Sequence, residues 1–189
     1  MLPYFYKGGS MELEKVITER RSIRKFLDQP VERKKINACL EAARLAPSAC
    51  NSQPWHYIVL DDPQIKEAFC KEVFTGVYTM SKWAEKAPVL IAVVSDRGNF
   101  TSRIGNFFRS TEFFLVDQGI SGEHLVLRAH DLGLGTCWIG WLNSNKAAQF
   151  FKLPKGKKIE HLFALGYPAE TPAPRPRAQL EEIVSYNKF

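Results

Sequence analysis

The sequence predicts an α+β fold, a small mixed sheet of four or five strands flanked by helices, with an α/β arrangement of the same sheet as the alternative. Three observations point there. Stretches with apolar residues at helical spacing outnumber strand-like stretches. The strand-like stretches arrive at irregular intervals, not in strict alternation with helices. One of them, VLIAVVS, is a near-continuous apolar run of strand length, the pattern of a central strand covered on both faces.

Taken in chain order, Ser10 caps a first helix in MELEKVITER, where Leu13, Val16, Ile17 and Arg20 recur at helical spacing behind acids in the first turn. DQPVERKKINACLEAARLAP holds a second helix with Ile36, Leu40 and Ala43 on one face, stopped by Pro47. WHYIVLDD is a strand that ends in an Asp-Asp-Pro turn. Residues 64–74 form a helix with Ile65, Ala68, Phe69 and Val73 as its core stripe, and MSKWAEKAP is helical before the VLIAVVS strand. The polar, glycine-containing DRGNFTSRIGNFFRS reads as a loop or lid. TEFFLVDQGISGEHLVLRAHDLG is a long helix, apolar nearly all round, which belongs in the middle of a protein or of a dimer and is ended by Gly133 and Gly135. GTCWIGW is a strand, NSNKAAQFFKLP a short helix capped by Asn143 or Ser144, and IEHLFALGYP the last strand. Pro168, Pro172, Pro174 and Pro176 make the tail extended, without internal hydrogen bonds. The expected organisation is an arm over residues 1–10, one domain over 11–168 and an extended arm over 169–189.

A chain of 189 residues favours one domain with a sizeable core. Its net charge of +6 permits nucleic-acid binding without arguing for it, since basic enzymes also bind phosphorylated small molecules. The four cysteines, Cys39, Cys50, Cys70 and Cys137, contain no C-x-x-C pair and are too few for a disulfide scaffold, so a reducing, cytoplasmic setting is expected. The first ten residues lack the apolar core of a signal peptide, and no apolar run approaches membrane-spanning length. His56, His124, His130 and His161 are scattered, without metal-ligand spacing.

Four constellations carry chemistry. ERRSIRKF gathers Arg20, Arg21, Arg24 and Lys25 around Ser22. Cations at a helix end suit the helix dipole, and a guanidinium cluster equally forms a phosphate clamp, because its forks match phosphate oxygens bidentately. APSACNSQPW, after Pro47, is a loop of small polar residues, fitted either to a turn or to close approach of a ligand to backbone amides. LGLGTCWIGW has glycines that allow such approach, yet it is not G-x-G-x-x-G and lacks the acid a dinucleotide site requires. APRPRAQL alternates Arg175 and Arg177 with prolines, either a solvated basic tail or a pair leaning toward one ligand.

In chain order, R-R-S-x-R-x-F, P-S-x-x-N-x-Q-P-W, G-x-G-T-C-W-I-G and a Pro/Arg-rich tail resemble the nitroreductase family of FMN-dependent NAD(P)H oxidoreductases, over residues 11–189. The resemblance implies a nitroreductase-like homodimer whose C-terminal arm is exchanged between subunits, with two FMN sites at the subunit interface. It implies phosphate and ring contacts from Arg20, Arg21, Ser22 and Arg24, and contacts from the partner chain by Pro47, Ser48, Asn51 and Gln53. Backbone contacts to the ring edge come from Trp138, Ile139 and Gly140, and phosphate contacts from Arg175 and Arg177. It implies ping-pong hydride transfer from NADH or NADPH to flavin and on to a nitroaromatic, quinone or similar acceptor, with no obligatory catalytic side chain and no metal. Partners are then a second copy and a small-molecule acceptor, with no nucleic acid and no membrane. A basic nucleic-acid module and a flavin binder without turnover are the alternatives. The region 77–109 is shorter than in larger family members, so the substrate roof is unmatched; Phe100, Phe107, Phe108 and Arg109 are its lid candidates.

Overall fold

The computed structural model describes residues 12–95 and 112–189. Ser10, the arm 1–10, the whole lid segment 96–110 and with it all four lid candidates lie outside the described residues. Helix α1 (Leu13–Glu19) buries Val16 alone, while Leu13 and Ile17, expected on its apolar face, stand exposed. Helix α2 (Arg33–Arg44) buries Ile36, Ala38, Cys39 and Ala43. A single 3₁₀ turn (Ala49–Asn51) leads to strand β1 (Trp55–Leu60). Helix α3 (Pro63–Val73) starts inside the Asp-Asp-Pro segment expected as a turn: the Asp62 carboxyl accepts from the amides of Gln64 and Ile65, and Pro63 takes the first helical position, which needs no donor. Its buried stripe is Phe69, Cys70 and Val73; Ile65 and Ala68 are exposed, because the helix is covered only toward its C-terminal end. The helical stretch that follows is 3₁₀ in kind (Gly76–Lys86).

Strand β2 (Val89–Ser95) is buried at every position. It is followed by the long helix α4 (Phe113–Asp131), strand β3 (Gly135–Ile139), helix α5 (Ser144–Phe150, capped by the Asn143 side chain), strand β4 (Lys158–Gly166) and a short C-terminal helix α6 (Leu180–Ile183). The four strands form one sheet in the order β1-β2-β4-β3, with every ladder antiparallel. The parallel component is a bridge between Ser22 and Thr136 beside β3, where the Ile23 amide donates to the Thr136 carbonyl.

Alternation along β2 divides the core between the two faces of the sheet. Leu90, Ala92 and Val94 join Phe69, Val73, Ile159 and Leu162 beneath α3 and α5. Val89, Ile91 and Val93 join Ile36, Leu125, Val126 and Phe163 beneath α2 and α4. Each fully buried large aliphatic contributes about 1.5–3 kcal/mol. Gly133 ends α4 in the left-handed region at φ 75°, as expected of a helix-stopping glycine. Gly135 has a different reason: a Cβ there would sit 2.7 Å from Ile23. The chain crossing from α1 therefore lies directly on β3, and this crossing sets the candidate site.

Candidate functional site

Residues 20–27 leave α1 and run between β3 and the start of the C-terminal arm. On one side they pair with Thr136; on the other, Phe26 bridges Pro168, Leu27 N–H donates to the Tyr167 carbonyl and Ala169 N–H to the Lys25 carbonyl. The Glu170 carboxylate completes this second seam, with Oε1 accepting from the amides of Arg24 at 2.7 Å and Lys25 at 3.0 Å. Those amides, foremost that of Arg24, hold its carboxyl below the usual range.

The seam brings both arginine groups to one cleft of about 860 Å³, lined by Arg20, Arg21, Ser22, Arg24, Lys25, Trp83, Lys86, Glu170, Pro172, Ala173, Arg175 and Arg177. Residues about 150 positions apart thus face the same space. Arg21 serves two ends at once: Nη1 donates to the carbonyls of Thr18 and Arg20, satisfying the end of α1, while the side chain lines the cleft. Arg24 lies over the Trp83 ring at 5.8 Å, and Arg20 Nε stands 3.7 Å from the Glu123 carboxylate. Arg177 turns Nη1 back onto the Pro176 carbonyl at 3.1 Å, which fixes the extended arm locally.

The cleft is strongly cationic: among the described residues it has seven basic side chains and one carboxylate, and that carboxylate already accepts two amides. A phosphomonoester fits this donor set, since the guanidinium and ammonium groups supply charge-assisted donors and the one carboxylate among the described lining residues is engaged by the Arg24 and Lys25 amides. Trp83, Lys86 and Glu170 escaped sequence reasoning. Glu170 alone had a signal, as an acid set at the head of a Pro/Arg tail; Trp83 and Lys86 reach the cleft only through tertiary placement.

The other expected site residues lie elsewhere in this protomer. Pro47, Ser48, Asn51 and Gln53 form the loop between α2 and β1, outside the lining of the cationic cleft, with Asn51 and Gln53 exposed. Trp138, Ile139 and Gly140 stand at the end of β3, also outside that lining. The Trp138 indole is committed to the core: it packs edge-on against Phe163 with centroids 4.4 Å apart and fills the space above Gly122 of α4. Trp138 and Ile139 pair with Phe163 and Leu162 of β4, and Gly140, just past the strand end, is exposed. His161 stacks on the same indole at 4.7 Å, and burial pushes its pKa down to about 4, so it is a neutral core imidazole. Burial raises the Cys137 thiol, and Cys50 is the exposed cysteine. Among the described residues no group of three or more His, Cys, Asp or Glu could hold a metal ion.

An α+β domain whose sheet is covered by helices on both faces, with a strongly cationic cleft against its β3 edge, defines the class. Residues 17–167 match the nitroreductase family, and the chain belongs to that family. A Methanothermobacter thermautotrophicus protein whose name carries NAD(P)H nitroreductase is 31% identical over 173 residues, 89% of this chain and 84% of that one. The FMN reductase (NAD(P)H) of Bacillus subtilis is 29% identical over 184 residues, 91% of this chain and 72% of the reductase. The crystal structure of a nitroreductase family protein from Clostridium novyi NT superposes with a TM-score of 0.73 at 31% identity, covering 85% of this chain and 87% of that one.

Proposed function

We propose that this oxidoreductase of the nitroreductase family takes hydride from NAD(P)H on FMN and passes electrons, in ping-pong order, to a nitroaromatic, quinone or similar small acceptor. The observation that supports it most is the meeting of Arg20, Arg21, Ser22 and Arg24 with Arg175 and Arg177 in one cleft of a chain that belongs to this family. FMN, when bound, supplies the electron-transfer chemistry itself.

The chain's own residues bind and orient. The two arginine groups hold the phosphate, and Arg24, fixed between Trp83 and the Glu170 seam, extends positive potential along the cleft. Trp138, Ile139 and Gly140 offer backbone groups to the ring edge. Pro47, Ser48, Asn51 and Gln53 meet the flavin of a second subunit, so the working unit is a homodimer with two interfacial sites. Two apolar surfaces support a dimer. Leu115, Val116 and Ile120 are exposed on α4, and Leu180, Ile183, Tyr186 and Phe189 are exposed on the arm. The arm over residues 169–189 lines its own cleft up to Arg177 and, beyond it, reaches the partner. Among the described residues no helix is long and apolar enough to cross a membrane, and a cytoplasmic setting belongs to this proposal.

The test is anaerobic stopped-flow on protein purified with FMN. NADH or NADPH should bleach the flavin in a single-turnover phase, and an acceptor added afterwards should restore it. Bound flavin that neither nucleotide bleaches identifies a flavin binder without turnover. Colourless protein that takes up no FMN removes the cofactor assignment altogether.

A further inference from the structure

We propose that Asp117 and Gln118, in the middle of α4, are positioning residues that lock the loop between α2 and β1 into the backbone from which Asn51 and Gln53 meet the flavin. The flavin contact rests on the function proposed above; the lock does not.

The loop is held in a conformation its residues disfavour. Cys50, Asn51 and Gln53 have φ of 52°, 51° and 47°, the left-handed region in which a Cβ crowds the following carbonyl. Asparagine tolerates this; cysteine and glutamine have no such excuse. Strain of this kind persists only where surrounding contacts over-determine it, and it gathers at ligand sites. Some of the restraint is internal: Asn51 N–H donates to the Ser48 carbonyl at 3.0 Å and Gln53 N–H to Ser48 Oγ at 2.9 Å.

The external restraint comes from one face of α4 and grips the loop on both sides of the strained residues. Asp117 Oδ1 accepts from Ala49 N–H at 3.0 Å, just before them. Gln118 Nε2 donates to the Pro54 carbonyl at 2.9 Å, just after them. One turn further along the helix, Ser121 Oγ donates to the Ala43 carbonyl at 2.7 Å and lies 2.6 Å from the Tyr57 hydroxyl, fixing the elements from which the loop springs. Asp117 is 4% exposed and Gln118 is 1% exposed, within a helix whose other buried positions are mostly apolar or small. Each also keeps a buried oxygen, Oδ2 and Oε1, without a partner among the described residues. Apolar side chains would avoid that cost, so packing alone does not account for these two polar ones. What they do instead is hold two backbone groups of a loop that internal bonds only partly define.

Three variants test this: Asp117→Ala, Gln118→Leu, and Asp117→Asn, which retains an acceptor for Ala49 N–H. In flavin-free protein, amide hydrogen exchange over residues 49–55 should rise about tenfold in the first two variants and stay within about twofold of the parent in Asp117→Asn, as for loss or retention of one buried hydrogen bond. With FMN added, the same two variants should bind about tenfold more weakly and shift the visible circular dichroism of the flavin, with Asp117→Asn restoring both. Unchanged loop exchange in Asp117→Ala and Gln118→Leu overturns the lock, whether or not flavin binds. A loosened loop with unaltered flavin affinity and dichroism overturns its link to the site. Asn51→Ala and Gln53→Ala, silent in the flavin signal while the parent binds FMN, locate the failure in the contact and not in the lock. If Asp117→Ala does not fold, Gln118→Leu carries the same comparison.

Discussion

Gly122→Ala is a substitution whose sign separates local from tertiary physics. In the interior of a helix such as α4, alanine is ordinarily better than glycine by about 0.5–1 kcal/mol, because glycine loses more backbone freedom on folding. At position 122 an added Cβ would stand 2.2 Å from Trp138 Cη2 and 2.7 Å from Phe163 Cζ. The first distance is about 1.3 Å inside an ordinary carbon–carbon contact of roughly 3.5 Å. Neither ring has slack: the indole is wedged against Phe163 at 4.4 Å and His161 at 4.7 Å. Either α4 lifts from the sheet or the indole leaves its position, and overpacking of this kind costs about 1–3 kcal/mol. An overlap this deep belongs in the upper half of that range, about 2–3 kcal/mol, so after the helix gain is subtracted the net destabilisation is about 1–2.5 kcal/mol, which for a chain of this size lowers Tm by about 2–10 °C. The assay is thermal unfolding of parent and variant at one fixed protein concentration, since assembly also shifts Tm. A double-mutant cycle with Trp138→Leu adds the decisive arm. With the indole gone, the contact with Phe163 at 2.7 Å remains but that ring can move into the vacated space, so the penalty of Gly122→Ala should shrink. A Gly122→Ala protein as stable as the parent, or an unchanged penalty in the Trp138→Leu background, refutes the argument that the indole fixes the spacing between α4 and β3.

Arg177→Ala should weaken FMN binding by about 1.5–3 kcal/mol, roughly ten- to 150-fold in Kd, for a lost charge-assisted hydrogen bond; titration at two salt concentrations checks it, and unchanged affinity takes Arg177 out of the site. Glu170 has a depressed folded-state pKa relative to its ordinary 4.5, so its anchoring is present above that value and is lost as pH falls through the lowered one. Thermal unfolding from neutral pH downward should therefore show a gap between parent and Glu170→Gln that closes on acidification, and a pH-independent gap contradicts the seam described for Arg24 and Lys25. Iodoacetamide should label Cys50 first at pH 8: it is exposed, whereas burial pushes the thiols of Cys39 and Cys70 up to about 12 and raises that of Cys137. Peptide mapping that finds Cys39 or Cys70 modified as fast as Cys50 contradicts the packing of α2 and α3.

What the amino-acid order determined by itself was local. The apolar run of β2, the helix that follows the Asp-Asp-Pro segment, the Gly133 stop of α4 and the Asn143 cap of α5 are legible because each depends on neighbours a few residues away. The cationic character of residues 20–25 was equally plain, and the order of the four motifs pointed to the family. Tertiary structure decided what each face meets. Periodicity marks Leu13, Ile17 and Ile65 as apolar-face residues, but whether another element covers them depends on distant chain, and among the described residues none does. It also turned Gly135 from a helix stop into a contact point for Ile23, committed the Trp138 indole to the core, and gave Glu170 two backbone amides to hold. The left-handed backbone at Cys50 and Gln53 carries no composition signal, since glycine would be the residue to look for, and its restraints come from α4, more than sixty positions away. Side-chain chemistry and short-range spacing are written along the chain; which groups share a cleft is set by the free energy of burying the sheet on both faces, which draws segments from opposite ends of the sequence to the same edge.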